Sequence, residues 1–266
     1  MLLGNPHYPW RGPSRFHMKH LTLPGEIDVM GVGLITTGTV AIGFTEDIAW
    51  THTVSTAMRF TLYELELLDG DPLAYRYGDE TRRLEPREVD VRVRRPDGNI
   101  ESQTHTVYMS HYGPVLESEQ LPWTTDKAFA LRDANLGNNR SLRQYDAIHR
   151  AESVAGIRDA LAAEQGVAWT NTIAADRHGD ALYADMSVVP NVSQARIDRC
   201  RTETGSDWQW GGRSVPVLRG SDPSCEWRDD PDAAAPGILP PYELPSLVRA
   251  DYVTNSNDSY WLSNPE

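Results

Sequence analysis

The chain has 266 residues, 39% of them apolar, which is enough for one large or two small domains with a sizeable core. With 38 acidic and 25 basic residues, its formal net charge of −13 argues against nucleic-acid binding and against docking on anionic lipid, since both need a basic face. The longest uncharged stretch, residues 29–45, is rich in Gly and Thr and falls short of the roughly 20 apolar residues of a membrane-spanning helix.

Strand patterns dominate the first part of the chain. Alternating apolar and polar residues, and short runs rich in Val, Ile, Thr and aromatic residues, are typical of pleated surfaces. These patterns predict strands at residues 15–23, 28–34, 40–44, 48–54 and 59–66.

Two β-hairpins are predicted further on. Residues 89–93 alternate strictly, the sequence Pro-Asp-Gly-Asn at 96–99 is a turn, and a second run follows at 104–109. Pro presets φ for such a turn and Gly accepts a positive φ. The runs 172–175 and 181–185 flank Arg-His-Gly-Asp at 177–180 in the same way.

Two helices are predicted in the middle of the chain, at residues 141–150 and 153–165. Each places apolar side chains on one face, and the second stops at Gly166, a residue typical of the position just past a helix end. The stretch from about 191 to 245 is interpreted as an irregular excursion, because it is rich in Pro, Gly, Asp and Trp. Together the patterns predict an α+β fold with large sheets and no convincing domain boundary.

Two local patterns are candidates for chemistry. His7 lies between Pro6 and Pro9 in an aromatic loop, which either presents its ring to a site or only packs it. The six short polar residues 254–259 follow an apolar pair, as either a capped turn or a polar site at a strand end. In the second case a side-chain amide there can donate to a developing oxyanion.

The remaining polar groups fit simpler roles. His17 and His20 alternate along a predicted strand near Asp28, so we expect a surface or half-buried pair and no metal site. Cys200 and Cys225 are either a disulfide or two unrelated thiols, and their spacing fits neither a zinc knuckle nor a redox motif.

Five segments in order carry a resemblance to a known family. The segments are residues 3–10 (LGNPHYPW), 42–44 (IGF) leading to 49–54 (AWTHTV), 131–135 (LRDAN), 168–171 (AWTN) and 252–259 (YVTNSNDS). On these segments the chain resembles the penicillin acylase family of N-terminal-nucleophile hydrolases, and within it the branch of aculeacin A and acyl-homoserine lactone acylases.

The resemblance implies a fold and an activity. The fold is an αββα four-layer sandwich, and residues 1–266 would be part of a β subunit released from a precursor together with an α chain. The N-terminal Ser of the β chain is the family's nucleophile, with its own α-amine as base. The expected substrate is a small molecule with a linear amide between an acyl chain and an amine, such as an acyl-homoserine lactone, a lipopeptide or a β-lactam side chain.

The resemblance also assigns residues. His7 matches the position beside the nucleophile, Val54 the backbone N–H of the oxyanion hole, and Asn257 the side-chain amide that serves the same oxyanion. It implies a disulfide between Cys200 and Cys225 in an exported, periplasmic or extracellular protein. An apolar wall for the acyl chain is expected from Tyr8, Leu34, Ile42, Thr53 and Trp169.

Some parts of the family's pattern find no match in this sequence. We expect the nucleophile, the α chain and the rest of the β chain to lie outside these 266 residues, so that the chain alone is inactive. No cofactor, metal, nucleic-acid partner or membrane is expected. The alternatives are a truncated, non-catalytic relic that at most binds acyl chains, and an acidic, secreted, strand-rich binding protein.

Overall fold

The computed structural model describes residues 1–206, 209–210 and 213–258. Within them lie three α-helices, α1 (Ser141–His149), α2 (Val154–Glu164) and α3 (Gln194–Cys200), and most of the remaining regular structure is β-strand. The strands in chain order are β1 (Phe16–Leu23), β2 (Ile27–Leu34), β3 (Ile42–Phe44), β4 (Ile48–Val54), β5 (Phe60–Leu68), β6 (Asp71–Tyr77), β7 (Glu80–Arg83), β8 (Glu85–Arg94), β9 (Ile100–Met109), β10 (Val115–Leu116), β11 (Lys127–Asp133), β12 (Thr170–Asp176), β13 (Ala181–Ala184), β14 (Gln209–Trp210), β15 (Arg213–Ser214), β16 (Val217–Arg219) and β17 (Ser246–Arg249).

The predicted strands and hairpins are confirmed, with shifted ends. β8 and β9 form the first hairpin and are ten residues long each, longer than the alternating run predicted. At its turn Gly98 has φ +89°, and its N–H donates to the carbonyl of Arg95 at 2.9 Å. Gly179 has φ +102° between β12 and β13. Both turns therefore use glycine for the positive φ that the sequence indicates.

The chain divides into two compact units. The first comprises Met1–Arg59, Gly137–Val189 and the described residues from Asp229 onward, and the second comprises Phe60–Leu136 and Pro190–Arg228. Because both units are discontinuous in sequence, no shift of composition marks a boundary between them. The stretch predicted as an irregular excursion contributes to both units and contains α3 and β16.

The first unit is built on a seven-stranded sheet of order β1-β2-β3-β4-β12-β13-β17. Trp50 of β4 and Leu182 of β13 lie on one face of this sheet, where they join Ile148 of α1 and Ile157 of α2 in a buried cluster. The indole N–H of Trp50 donates to the carbonyl of Ala41 at 2.7 Å, so this buried donor is satisfied. The helices thus cover one face of the sheet and fix the position of β4.

Helix α2 begins as the sequence indicates but ends differently. The Ser153 side chain caps the helix by accepting from the Gly156 N–H. The left-handed residue at its end is Gln165, with φ +38°, and not Gly166 as predicted. Gly166 serves another need, since a Cβ built on it would lie 2.5 Å from the carbonyl carbon of Arg140. Close backbone approach, rather than a positive φ, requires glycine there.

The second unit holds a sheet of order β10-β11-β5-β6-β7, with β16 parallel to β5, and the β8–β9 ribbon. Leu62, Phe129 and Val217 are fully buried in its core. Cys200 at the end of α3 and Cys225 are joined by a disulfide. The disulfide anchors α3 to a loop more than twenty residues further along the chain.

Candidate active site

Three distant segments of the first unit meet where β4 ends. Val54 is the last residue of β4, and its neighbour Thr53 pairs with Asn171 of β12 in antiparallel register. The backbone N–H of Val54 donates to Oδ1 of Asn257 at 3.1 Å. The two residues predicted for the oxyanion hole are therefore in direct contact, although about 200 residues separate them in sequence.

In this contact the amide of Asn257 accepts a hydrogen bond. The resemblance implies that the Val54 N–H and the Asn257 side chain both donate to a substrate oxygen, whereas here Asn257 occupies the Val54 donor itself. Asn257 has φ +68°, a left-handed conformation that asparagine adopts more readily than most residues. Ser259, the last residue of the polar motif, lies outside the described residues.

Trp169 lies directly beside this strand end. Its carbonyl accepts from the Ser55 N–H at 2.9 Å, and its backbone has φ +68°. The guanidinium of Arg59 lies 4.8 Å from the centre of its ring, and 42% of the residue's surface is exposed. The indole is thus partly open and held by a cation–π contact, which is worth about 0.5 to 1 kcal/mol at an exposed site.

Four of the five predicted pocket residues lie toward one face of the seven-stranded sheet. In the strand register Leu34 pairs with Phe16, and Ile42 pairs with Val32. Because side chains alternate between the two faces along each strand, this register places Leu34, Ile42 and Thr53 on the same face. The ring of Tyr8 stacks on Phe16 with centroids 4.5 Å apart. This face is opposite to the one that the helices cover.

A separate cavity of about 540 Å³ lies between β1, β2 and α1 in the first unit. It contains none of the predicted pocket residues and is lined by His20, Leu21, Thr22, Leu23, Ile27, Gly38, Thr39, Leu142, Asp146 and His149.

His7 is exposed, and the structure does not bring it into hydrogen-bond contact with Val54 or Asn257. Its Nε2 lies 3.5 Å from the side-chain amide of Asn5. The same segment does approach the sheet, because a Cβ on Gly4 would lie 2.9 Å from the hydroxyl of Thr51 in β4. The His7 segment therefore runs beside the strand that carries Val54.

The strand that ends at Val54 also carries a histidine that sequence reasoning did not single out. Burial lowers the pKa of His52 to about 4, so the ring is neutral at pH 7. Its Nδ1 lies 3.3 Å from the carbonyl of Asn171 and its Nε2 lies 3.4 Å from the hydroxyl of Tyr145 on α1. His52 points to the helix-covered face, so it supports the sheet and does not face the Val54–Asn257 contact.

The described residues contain neither a group of metal-ligating side chains nor an apolar helix of membrane-spanning length. Within residues 1–206, 209–210 and 213–258, no three His, Cys, Asp or Glu side chains are grouped to hold a metal ion. His20 instead pairs with Asp28 across β1 and β2 at 2.6 Å. Of the helices in the same part of the chain, none has the length and apolar character that crossing a membrane requires.

Curated relatives of known name match the chain from end to end. It is 45% identical to the acyl-homoserine lactone acylase PvdQ of Pseudomonas fluorescens and 44% identical to that of Pseudomonas putida, each over all of this chain and 34% of the relative. It is 41% identical to the aculeacin-A acylase of Actinoplanes utahensis, over all of this chain and 33% of that protein. The chain thus spans about a third of the length of the curated relatives it matches.

The chain also matches a solved structure and a family model. A thermostable penicillin G acylase from Alcaligenes faecalis matches with a TM-score of 0.65 at 19% identity, over 96% of this chain and 42% of that one. At this identity the likeness shows the fold alone, and it confirms the predicted strand-rich α+β fold of the N-terminal-nucleophile hydrolases. The family model for penicillin amidase matches residues 1–265. The chain therefore belongs to the penicillin amidase family.

Proposed function

We propose that the protein to which this chain belongs is an acylase that hydrolyses the amide between an acyl chain and an amine head group. The observation that carries the proposal is the contact between the Val54 N–H and the Asn257 side chain, at the end of a strand in a penicillin amidase fold. The names of the relatives point to acyl-homoserine lactones and to aculeacin A as substrates.

The proposed reaction has two steps. A serine hydroxyl, at the N terminus of a processed β chain and deprotonated by its own α-amine, attacks the amide carbonyl and forms a tetrahedral oxyanion. Collapse of this intermediate breaks the C–N bond, and the leaving nitrogen takes the proton from the α-ammonium group and departs as the amine. The acyl ester that remains is then hydrolysed by water to the carboxylic acid, which frees the serine. His7 is proposed to orient and polarise the serine.

Val54 and Asn257 are proposed to stabilise the oxyanion. For this the substrate oxygen takes the place of Asn257 Oδ1 on the Val54 N–H, and the Asn257 amide turns its NH₂ group toward the same oxygen. Two donors aimed at one developing charge are what acyl transfer needs, and removing one such donor typically costs about 100- to 1000-fold in kcat.

The acyl chain is proposed to lie along the sheet face that is opposite the helices. Leu34 and Ile42 supply apolar surface there, Thr53 lies beside the oxyanion site, and Tyr8 and Trp169 complete the wall. Binding the chain on this face holds the amide against the nucleophile, which converts binding energy into rate.

The first experiment measures turnover by the protein expressed from its natural gene. Release of free amine and fatty acid from N-acyl-homoserine lactones is followed by mass spectrometry, for wild type and Asn257→Ala. We expect Asn257→Ala to lower kcat about 100- to 1000-fold with little change in KM. Asn99→Ala, an exposed asparagine in the β8–β9 turn, is the matched control. An unchanged kcat in Asn257→Ala contradicts the oxyanion assignment.

A second experiment tests the acyl pocket. Leu34→Phe adds bulk to the proposed wall, so we expect kcat/KM to shift in favour of shorter acyl chains. Leu142→Phe makes the same change at an exposed position on α1 and should leave the chain-length preference where it was. If Leu34→Phe has the same preference as wild type, the pocket assignment is wrong.

The proposal includes an exported, processed protein that assembles with an α chain. The disulfide between Cys200 and Cys225 supports an oxidising compartment. Thiol alkylation followed by mass spectrometry of protein from the periplasm or culture medium tests this. We expect both cysteines to be protected until a reductant is added, and protein found only in the cytosol with free thiols contradicts it.

A further inference from the structure

A chain of buried polar groups lies below the strand end that carries Val54. The Asn171 side chain is fully buried, and its Oδ1 accepts from the hydroxyl of Tyr183, which is 2% exposed. The Asn171 NH₂ group donates to the Thr53 hydroxyl at 2.9 Å and to Oδ1 of Asn255 at 3.3 Å. These contacts tie the middle of β13 to the end of β4 and on to the turn that holds Asn257.

Asn255 is the hub of this network. Its Oδ1 accepts from the Thr53 hydroxyl at 2.5 Å, from the Asn171 amide, and from the backbone N–H of Asn257 at 2.9 Å. Its own amide donates to the carbonyl of Asp258 at 3.1 Å. One side chain therefore makes hydrogen bonds to the backbone on both sides of Asn257, as well as to the sheet.

The hub bears directly on the conformation of Asn257. A φ of +68° costs a residue other than glycine about 1 kcal/mol or more, so contacts with its surroundings must offset this cost. The turn around Asn257 is exposed and packs little, so hydrogen bonds must hold it. The bond from the Asn257 N–H to Asn255 anchors the residue, and the buried Asn171 and Tyr183 in turn anchor Asn255.

We propose that Asn255 is a positioning residue of the acyl-transfer site, which aims the Asn257 amide through a relay of Thr53, Asn171 and Tyr183. The inference rests on the proposed function. Asn255 touches neither the substrate nor the nucleophile in this scheme, and its effect on catalysis passes through Asn257. Misplacing a catalytic group by about 1 Å costs about 100-fold in rate, so a small shift of the turn is enough to lower turnover.

The test is a double-mutant cycle in the protein expressed from its natural gene. We expect Asn255→Ala to lower kcat about 100-fold, with KM changed by less than about threefold. In an Asn257→Ala background the same substitution should change kcat by less than about threefold, because the group that it positions is already absent. Asn99→Ala is the matched control.

A second, isosteric variant guards against misfolding of Asn255→Ala. Tyr183→Phe removes only the hydroxyl that donates to Asn171, and we expect kcat to fall about fivefold, again only where Asn257 is present. Circular dichroism and the temperature of unfolding show whether each variant is folded.

The outcomes separate the two proposals. If Asn257→Ala turns over like wild type, or if wild type hydrolyses no acyl amide, the proposed function fails. If Asn257→Ala is impaired but Asn255→Ala or Tyr183→Phe is not, the positioning role is overturned. Equal fold-losses in the wild-type and Asn257→Ala backgrounds also overturn it, because they show an effect that does not pass through Asn257.

Discussion

His52 makes the stability of this protein depend on pH in a specific window. The pKa of the folded-state ring is lowered to about 4 from an ordinary value of 6.5, chiefly because burial disfavours the charged form. Between these two values the unfolded chain binds a proton at this position and the native chain does not. Stability therefore falls as the pH falls from 6.5 to 4, and is fully present above 6.5.

The size of the effect follows from the shift. A difference of about 2.5 pKa units is worth about 3 kcal/mol, at 1.36 kcal/mol for each unit. Native proteins are generally stabilised by only about 5 to 15 kcal/mol, so a contribution of this size from one ring is a substantial part of acid sensitivity. His52→Gln keeps a polar side chain in place and removes the titration.

Unfolding by urea, followed by tryptophan fluorescence at pH 7.5 and at pH 4.5, measures the effect. We expect His52→Gln to be the less stable protein at pH 7.5, and the gap to wild type to shrink by about 2 to 3 kcal/mol at pH 4.5. Other groups titrate equally in both proteins, so their contributions cancel. The exposed His105 provides the control His105→Gln. A gap that is the same at both pH values refutes a lowered pKa of the half-buried His52.

Three further substitutions follow from local geometry. Gly166→Ala should destabilise the protein by about 1 to 3 kcal/mol in thermal unfolding, because its Cβ meets the Arg140 backbone at 2.5 Å; an unchanged unfolding temperature contradicts the close approach. Replacing Cys200 and Cys225 together by Ala should lower the free energy of unfolding in urea by about 3 kcal/mol, since the disulfide closes a loop of 25 residues. Adding a reductant to wild type should lower it by the same amount, and a wild type that the reductant does not affect contradicts the prediction. Hydrogen bonds from His111 and Tyr77, together with the charge of Arg132, lower the pKa of Glu226 to about 2. The contribution of Glu226 to the free energy of unfolding is therefore present above pH 4.5 and lost toward pH 2. Glu226→Gln should lose this acid dependence, and a plot of stability against pH that runs parallel to that of wild type contradicts the assignment.

Alternating or aromatic-rich strands could be predicted from the sequence even where they are exposed, as β8 is, whereas no strand was predicted at β11, although Ala128, Phe129 and Ala130 are buried there. β4 and β5 lie where their Trp, Thr, Phe and Tyr residues predict them. β8 begins four residues before its alternating valines. Residues 85–92 are exposed, so burial imposes no alternation of apolar and polar residues on the first part of the strand. α3 was missed inside the stretch interpreted as irregular because it is only seven residues long and is held by the disulfide. Tertiary context, and not propensity, decides such short elements.

The candidate site also contains residues that could be predicted from the sequence and residues that could not. The resemblance names Val54 and Asn257, and the hydrogen bonds of Thr53 with Asn255 and of Val54 with Asn257 join the end of β4 to the segment that follows β17. The network of Asn171, Tyr183 and Asn255 was not foreseen. Asn171 and Asn255 lie in segments that carry the resemblance and Tyr183 lies in none of them, and only the folded structure shows that the three side chains converge.

The end of β4 explains why Val54 has a donor to offer. A backbone N–H in the middle of an antiparallel pair is either bonded across the ladder or faces the next strand, and it is then closed to a substrate. Here Trp169 leaves the extended conformation with φ +68°, and its carbonyl takes the Ser55 N–H just past the strand. The ladder stops there, and the Val54 N–H is met by the Asn257 side chain. A side-chain partner can turn away when a substrate oxygen arrives, whereas a strand partner cannot. The left-handed conformations of Trp169 and Asn257 both lie at this strand end, where the Val54 N–H bonds to a side chain and not to a neighbouring strand, and the proposed oxyanion role requires a substrate oxygen to replace that side chain.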